Sequence, residues 1–91
     1  MSGQFGVYAV ERISDPTIVT GRCHEGPLGL GDAFIRHQHP DERGQTEIHL
    51  TITKIEMYRL NVQQLDRGVT AQLTLTGDGG PTLVPDSVLD T

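Results

Sequence analysis

The 91-residue chain has one cysteine, no tryptophan, and only two tyrosines and two phenylalanines. A lone cysteine, Cys23, excludes an internal disulfide framework and any multi-cysteine zinc site. No stretch approaches the ~18 apolar residues that cross a bilayer, and residues 1–10 lack a basic start followed by an apolar run, so neither a membrane span nor a secretory leader is expected. Basic residues are also scarce, 7 Lys plus Arg against 12 Asp plus Glu, for a net charge of −5. Nonspecific nucleic-acid binding draws its affinity from clustered Lys and Arg, and this balance disfavours it. There is no G-x-x-x-x-G-K-[ST] phosphate loop: Gly29-Leu30-Gly31-Asp32 has neither the lysine nor the following helix, so no nucleotide is expected as a ligand. A chain of this length hides only somewhat over ~60% of its unfolded surface, which leaves a thin core and little room for an enclosed active site. These absences describe a cytoplasmic, non-enzymatic protein whose residues 1–91 form one domain.

What is present is a β pattern. Hydrophobic residues make up 35% of the chain and 11 glycines accompany them, a share compatible with an ordinary globular core. Short alternating runs are separated by Gly, Pro, Asp and Asn clusters, and helical periodicity is nearly absent. Strands are expected at 5–13, 17–25, 33–38, 46–60, 69–76 and 82–89, with turns at Ser14-Asp15-Pro16, 26–32, 40–45, 61–68 and 77–81. In the second strand Val19, Gly21 and Cys23 share the inner face, and His24 faces water. In the fourth, Ile48, Leu50 and Ile52 lie on one parity and Ile55 and Met57 on the other, which requires a β-bulge near Thr53 or Lys54. Val69, Ala71, Leu73 and Leu75 alternate cleanly with Thr70, Gln72, Thr74 and Thr76. Pro85 places part of the last strand at an edge or break. The inward set is expected to include Val7, Val19, Ile35, Ile48, Leu50, Ile52, Ile55, Met57, Leu73 and Leu75.

Residue types that could carry chemistry are few. His37, His39 and Asp41 stand at alternate positions, but Pro40 ends the strand. They are read as solvated loop residues, and no metal or other cofactor is expected. Cys23 is read as a buried, inert thiol, because its neighbour His24 points the other way. Asp41, Glu42 and Glu47 lie in an exposed segment with no cleft to separate their pKa values. No Ser or Thr is accompanied by a recognisable His and Asp, so nucleophilic catalysis has no support.

Two ordered stretches carry a family resemblance. Thr17-Ile18-Val19-Thr20-Gly21-Arg22, followed by Glu25-Gly26, Leu28, Leu30 and Gly31-Asp32, resembles the second domain of translational GTPases of the elongation factor Tu type. Ile55-Glu56-Met57-Tyr58-Arg59, then Gly68 and Leu73-Thr74-Leu75-Thr76-Gly77, resembles the family's V-E-M-[FH]-R, A-G and L-L-R-G at the same separations, and Asp86-Ser87-Val88-Leu89 is similar to its G-x-V-L. The resemblance implies an all-β fold, a closed six-stranded Greek-key barrel. It also implies a binding surface: in such factors the matching patch accepts the aminoacylated end of transfer RNA, and the acidic residue at the position of Glu56 helps hold the terminal adenosine. Arg59 is retained as well. Thr70 stands where elongation factor Tu has an amide, and Ser14-Asp15-Pro16 replaces the family's basic G-R-G.

The expected binding residues are therefore Glu56, Tyr58, Arg59 and Thr70, on an outer face in which the bulge turns Tyr58 toward a run of threonine hydroxyls. The expected function is that of a stand-alone binding module with a nucleic-acid-end or protein partner in translation. The alternative is a protein-interaction or regulatory module that imitates the factor domain without binding nucleic acid.

Overall fold

A computed structural model describes residues 3–41 and 44–91. Its strands are β1 (Gln4–Arg12), β2 (Thr17–Glu25), β3 (Leu28–Gly29), β4 (Ala33–Gln38), β5 (Gln45–Met57), β6 (Leu60–Val62), β7 (Gln64–Leu65), β8 (Thr70–Asp78) and β9 (Val88–Asp90), with a 3-10 turn at Gly80–Thr82. Six of them close an antiparallel barrel in the order β4-β9-β1-β2-β8-β5, with β5 pairing back onto β4. β4, β5 and β8 follow one another as a meander and β2 lies beside β8, which is Greek-key connectivity. β6 extends the sheet past β5, and β3 with β7 makes a small separate ribbon. The expected all-β, six-stranded closed barrel is the observed fold.

Alternation builds the core. Val19, Leu73 and Ile55 lie abreast on β2, β8 and β5 and are all buried, together with Phe5, Val7, Leu50, Ile52, Leu75 and Leu89. The two phenylalanine rings meet at 6.4 Å between centroids. Gly21 is required where β1 crosses β2, because a Cβ there would sit 2.0 Å from the Gly6 carbonyl oxygen. The bulge falls where parity demands it: Ile52 pairs with Leu75 and Lys54 with Thr74, leaving Thr53 as the extra residue, whose hydroxyl donates to the Thr74 carbonyl at 3.2 Å.

Four expectations are corrected. Ile35 is 45% exposed, and Phe34 takes the inner position instead. Phe34 pairs with Leu50 and Arg36 with Glu47, so Ile35 alone faces Ile48 and His49, and this second bulge shifts the parity of β4. Met57 is only half-buried at the rim of the core. The long fourth strand stops at Met57 and is followed by a hairpin to β6, so the reversal expected over 61–68 contains the short strands β6 and β7. The last strand is confined to Val88–Asp90, because Pro81 and Pro85 remove two donors from the segment before it, and Thr82 belongs to the 3-10 turn. Glu42 and Arg43, within the expected 40–45 loop, lie outside the described residues.

Candidate binding surface

Tyr58 and Arg59 are the two turn residues of the β5–β6 hairpin. Met57 pairs with Leu60 on either side of them, and their φ angles are +50° and +66°. Two positive φ values define the hairpin turn that matches strand twist, for which Asn-Gly is the relaxed sequence. A residue with a Cβ in that region costs about 1–2 kcal/mol, and here both residues carry long side chains. Tyr58 consequently projects from the tip, 92% exposed, with Leu60 beside it 67% exposed. The outward position of Tyr58 thus comes from the turn, not from the bulge at Thr53, and Tyr58 does not lie on a strand among the threonines.

Glu56, half-buried, faces Asn61 on β6 and Gln72 on β8, and Gln72 in turn faces Thr20 on β2. Thr70 is exposed at the start of β8, opposite Arg22 and diagonal to Glu56, a relation that spans about 7–8 Å. The β5–β8 pairing ends at Glu56 and Gln72, and Tyr58 and Arg59 form the turn just beyond the end of β5. The fold therefore gathers Glu56, Tyr58, Arg59 and Thr70 at one end of the β5–β8 pair. Within the described residues no side-chain hydrogen bond or ion pair engages any of the four. Among the described residues Glu56 and Arg59 are thus not joined by an ion pair.

The histidines divide differently from the expectation. His24 is exposed as expected, but His37 is fully buried rather than solvated. Its Nε2 is 2.8 Å from Ser87 Oγ and its Nδ1 is 3.3 Å from Thr82 Oγ1. The surrounding bonds fix the direction of this chain. Thr82 Oγ1 donates to the Gly79 carbonyl at 2.6 Å, so it can only accept from His37 Nδ1–H; Ser87 Oγ accepts from the Val84 N–H at 3.1 Å and donates to Nε2. Burial, and secondarily His39 with its ring 4.1 Å away, lowers the His37 pKa and holds the ring neutral. Both ring nitrogens are committed, so neither can reach a metal alongside His39 and Asp41. A serine hydroxyl on a histidine nitrogen is also the pairing that activates nucleophiles, and sequence reasoning missed it because the partners are 50 residues apart. Ser87 has no exposed surface, so no substrate atom can approach it.

Cys23 is buried as expected, and its thiol lies 3.2 Å from the Glu25 carbonyl. Burial first, then the carboxylates of Asp66 and Glu25, raises its pKa, the opposite of a reactive thiolate setting. Among the described residues no helix is long and apolar enough to cross a membrane.

No protein-family model matches this chain, and no curated protein matches it in sequence. Among solved structures it is similar to translation elongation factor SelB from Methanococcus maripaludis, in its apo form, with a TM-score of 0.78 at 15% identity over 100% of this chain. The chain spans 19% of the length of that factor. The barrel is thus the fold of a translation-factor domain, in agreement with the resemblance carried by residues 17–32 and 55–77.

Proposed function

We propose that this chain is a non-catalytic, cytoplasmic binding module that serves translation by presenting the end of its β5–β8 pair, with Glu56, Tyr58, Arg59 and Thr70, to a nucleic-acid end or to a protein of that apparatus. One observation carries the reading: an almost fully exposed tyrosine is held at a turn where its own backbone angle is unfavourable. Unfavourable backbone conformations persist where the surroundings impose them, and they concentrate at binding and catalytic positions. An aromatic ring flanked by a carboxylate, a guanidinium and a hydroxyl combines a stacking surface with directional polar groups, as a base or a compact protein hot spot requires.

The net charge of −5 favours the second reading, in which the partner is a protein and the barrel imitates a factor domain. Capture from lysate with and without nuclease separates the two. Loss of the partner on nuclease treatment supports nucleic acid, and retention supports protein. The surface itself is tested by Tyr58→Ala and Glu56→Ala, each first shown to melt as the parent does. Losing a stacking residue should weaken the captured complex by about 1–3 kcal/mol. If both variants bind as the parent does, the surface is not the docking site.

A further inference from the structure

On the β1–β2 side of Thr70 lies a cleft of about 320 Å3 lined by Tyr8, Arg22, Cys23, His24, Arg67 and Gly68. Its construction is specific at three points. Val7 pairs with Gly21 and Ala9 with Thr20, so Tyr8 is the extra residue of a bulge, and it stands 51% exposed at the cleft wall. Asp66-Arg67-Gly68-Val69 is a tight turn closed by the Val69 N–H on the Asp66 carbonyl at 3.2 Å, and it is zipped onto β2 by Gly68 N–H to Cys23 O at 2.7 Å and Cys23 N–H to Val69 O at 3.0 Å. Gly68 has φ +84°, and the Arg22 Nη2 atom is 3.7 Å from the point where a side chain would begin.

Arg22 donates its Nε–H to the Gly68 carbonyl at 3.1 Å, which orients the guanidinium plane. Within the described residues no carboxylate pairs with Arg22 or Arg67, although Glu25 and Asp66 are close enough to act on the Cys23 thiol beneath. The His24 ring covers Gly6, with Nδ1 held at 3.3 Å from Gln4 Oε1. Two of the chain's seven Lys and Arg residues thus converge on one small concavity with a histidine and a tyrosine, in a molecule that is otherwise acidic. A polyanion laid over this protein would meet the acidic remainder of the surface, whereas one compact oxyanion would not.

We propose that this cleft is a seat for a single phosphate monoester group, its oxygens gripped by Arg22 and Arg67 and the group bearing it covered by Tyr8. A planar guanidinium fork matches phosphate geometry, and an arginine already oriented by a backbone carbonyl loses little further freedom on binding. A small phosphorylated molecule and a phosphorylated side chain offer this same chemistry. The site is separate from the Tyr58 surface and does not depend on its role.

The test follows the amide chemical shifts of the full chain at constant ionic strength. The additions are inorganic phosphate, phenyl phosphate, and a phosphotyrosine peptide beside its unphosphorylated twin. Saturable shifts confined to Tyr8 and residues 22–24 and 66–69, stronger for phenyl phosphate than for inorganic phosphate and absent with the unphosphorylated twin, are expected. Binding by phenyl phosphate as tight as by the phosphopeptide assigns the seat to small molecules; markedly tighter phosphopeptide binding assigns it to a modified protein. Arg67→Gln, which removes a side chain with no bond inside the described residues, should weaken binding about tenfold, and Arg22→Lys should weaken it too because a point charge replaces the fork. Shifts spread equally over Arg12, Arg36, Lys54 and Arg59, or unchanged binding in Arg67→Gln, would overturn the proposal. So would a short RNA without a terminal phosphate that moves residues 22–24 and 66–69 when the monoesters do not.

Discussion

Ser87→Ala removes one oxygen atom and disturbs a chain of four hydrogen bonds. The Ser87 hydroxyl donates to His37 Nε2 at 2.8 Å and accepts from the Val84 N–H at 3.1 Å, and neither Ser87 nor His37 has exposed surface. The alanine variant leaves both partner groups unsatisfied, and each such buried group costs about 1–3 kcal/mol. Val84 is itself 42% exposed, so water can partly replace its partner and its share lies at the low end, while the imidazole nitrogen bears the full cost. The expected loss is therefore about 2–4 kcal/mol. For a domain of this size that is a fall in melting temperature of about 10–25 °C. Thermal and urea unfolding followed by circular dichroism measure it. Ser87→Ala combined with His37→Leu no longer strands the imidazole nitrogen and leaves only the Val84 N–H without its partner, so the double variant should lose at least about 1 kcal/mol less than the sum of the two single losses. A Ser87→Ala loss under about 0.5 kcal/mol, or strict additivity in the double variant, would refute the directional chain drawn from Val84 to Gly79.

The lowered pKa of His37 has a definite sign: the folded state binds fewer protons than the unfolded chain, so the stabilisation is complete above the ordinary value of 6.5 and is lost as pH falls below it toward the folded-state value. Urea midpoints between pH 8 and pH 4.5 should show this slope, and His37→Leu should lack it. Tyr58→Asn with Arg59→Gly supplies the relaxed turn sequence and should raise unfolding stability by about 1–3 kcal/mol while abolishing capture of the partner, measured by denaturation and pull-down on the same sample. Leu73→Ala, at the centre of the Val19–Leu73–Ile55 row, should cost about 2–5 kcal/mol, and a loss below ~1 kcal/mol would contradict its inward position.

Alternation and turn chemistry made much of the barrel legible. The bounds of β2 and β4 coincide with those expected, because Ser14-Asp15-Pro16, the glycines of 26–31 and Pro40 punctuate them sharply. The parity change between Ile52 and Ile55 confined the bulge to Thr53 or Lys54, and the register places it at Thr53. The β5–β6 hairpin was not legible, since Tyr58-Arg59 carries none of the residues that normally announce such a turn. The bulge opposite Ile35 was equally hidden: both Phe34 and Ile35 are apolar, and only the pairing of β4 with β5 decides which goes inward. Proximity in the folded chain accounts for the remaining gaps. His37 with Ser87 and Thr82, and Tyr8 with Arg67, are joined by strand order rather than by spacing along the sequence. The positions of Glu56 and Thr70 were anticipated on adjacent strands, and the register places them diagonally.

The position of β9 has a consequence for synthesis. Its three residues, Val88–Asp90, are the strand that joins β1 to β4, pairing with Gln4–Gly6 on one side and Arg36–Gln38 on the other. A ribosome makes those two edges long before the residues that join them. Until 88–90 emerge from the exit tunnel, both edges keep unpaired backbone groups, and a chain cut anywhere upstream keeps them permanently. Exposed edges of this kind recruit other strands, so the nascent or truncated form has a reason to be handed to a chaperone that the finished barrel no longer has.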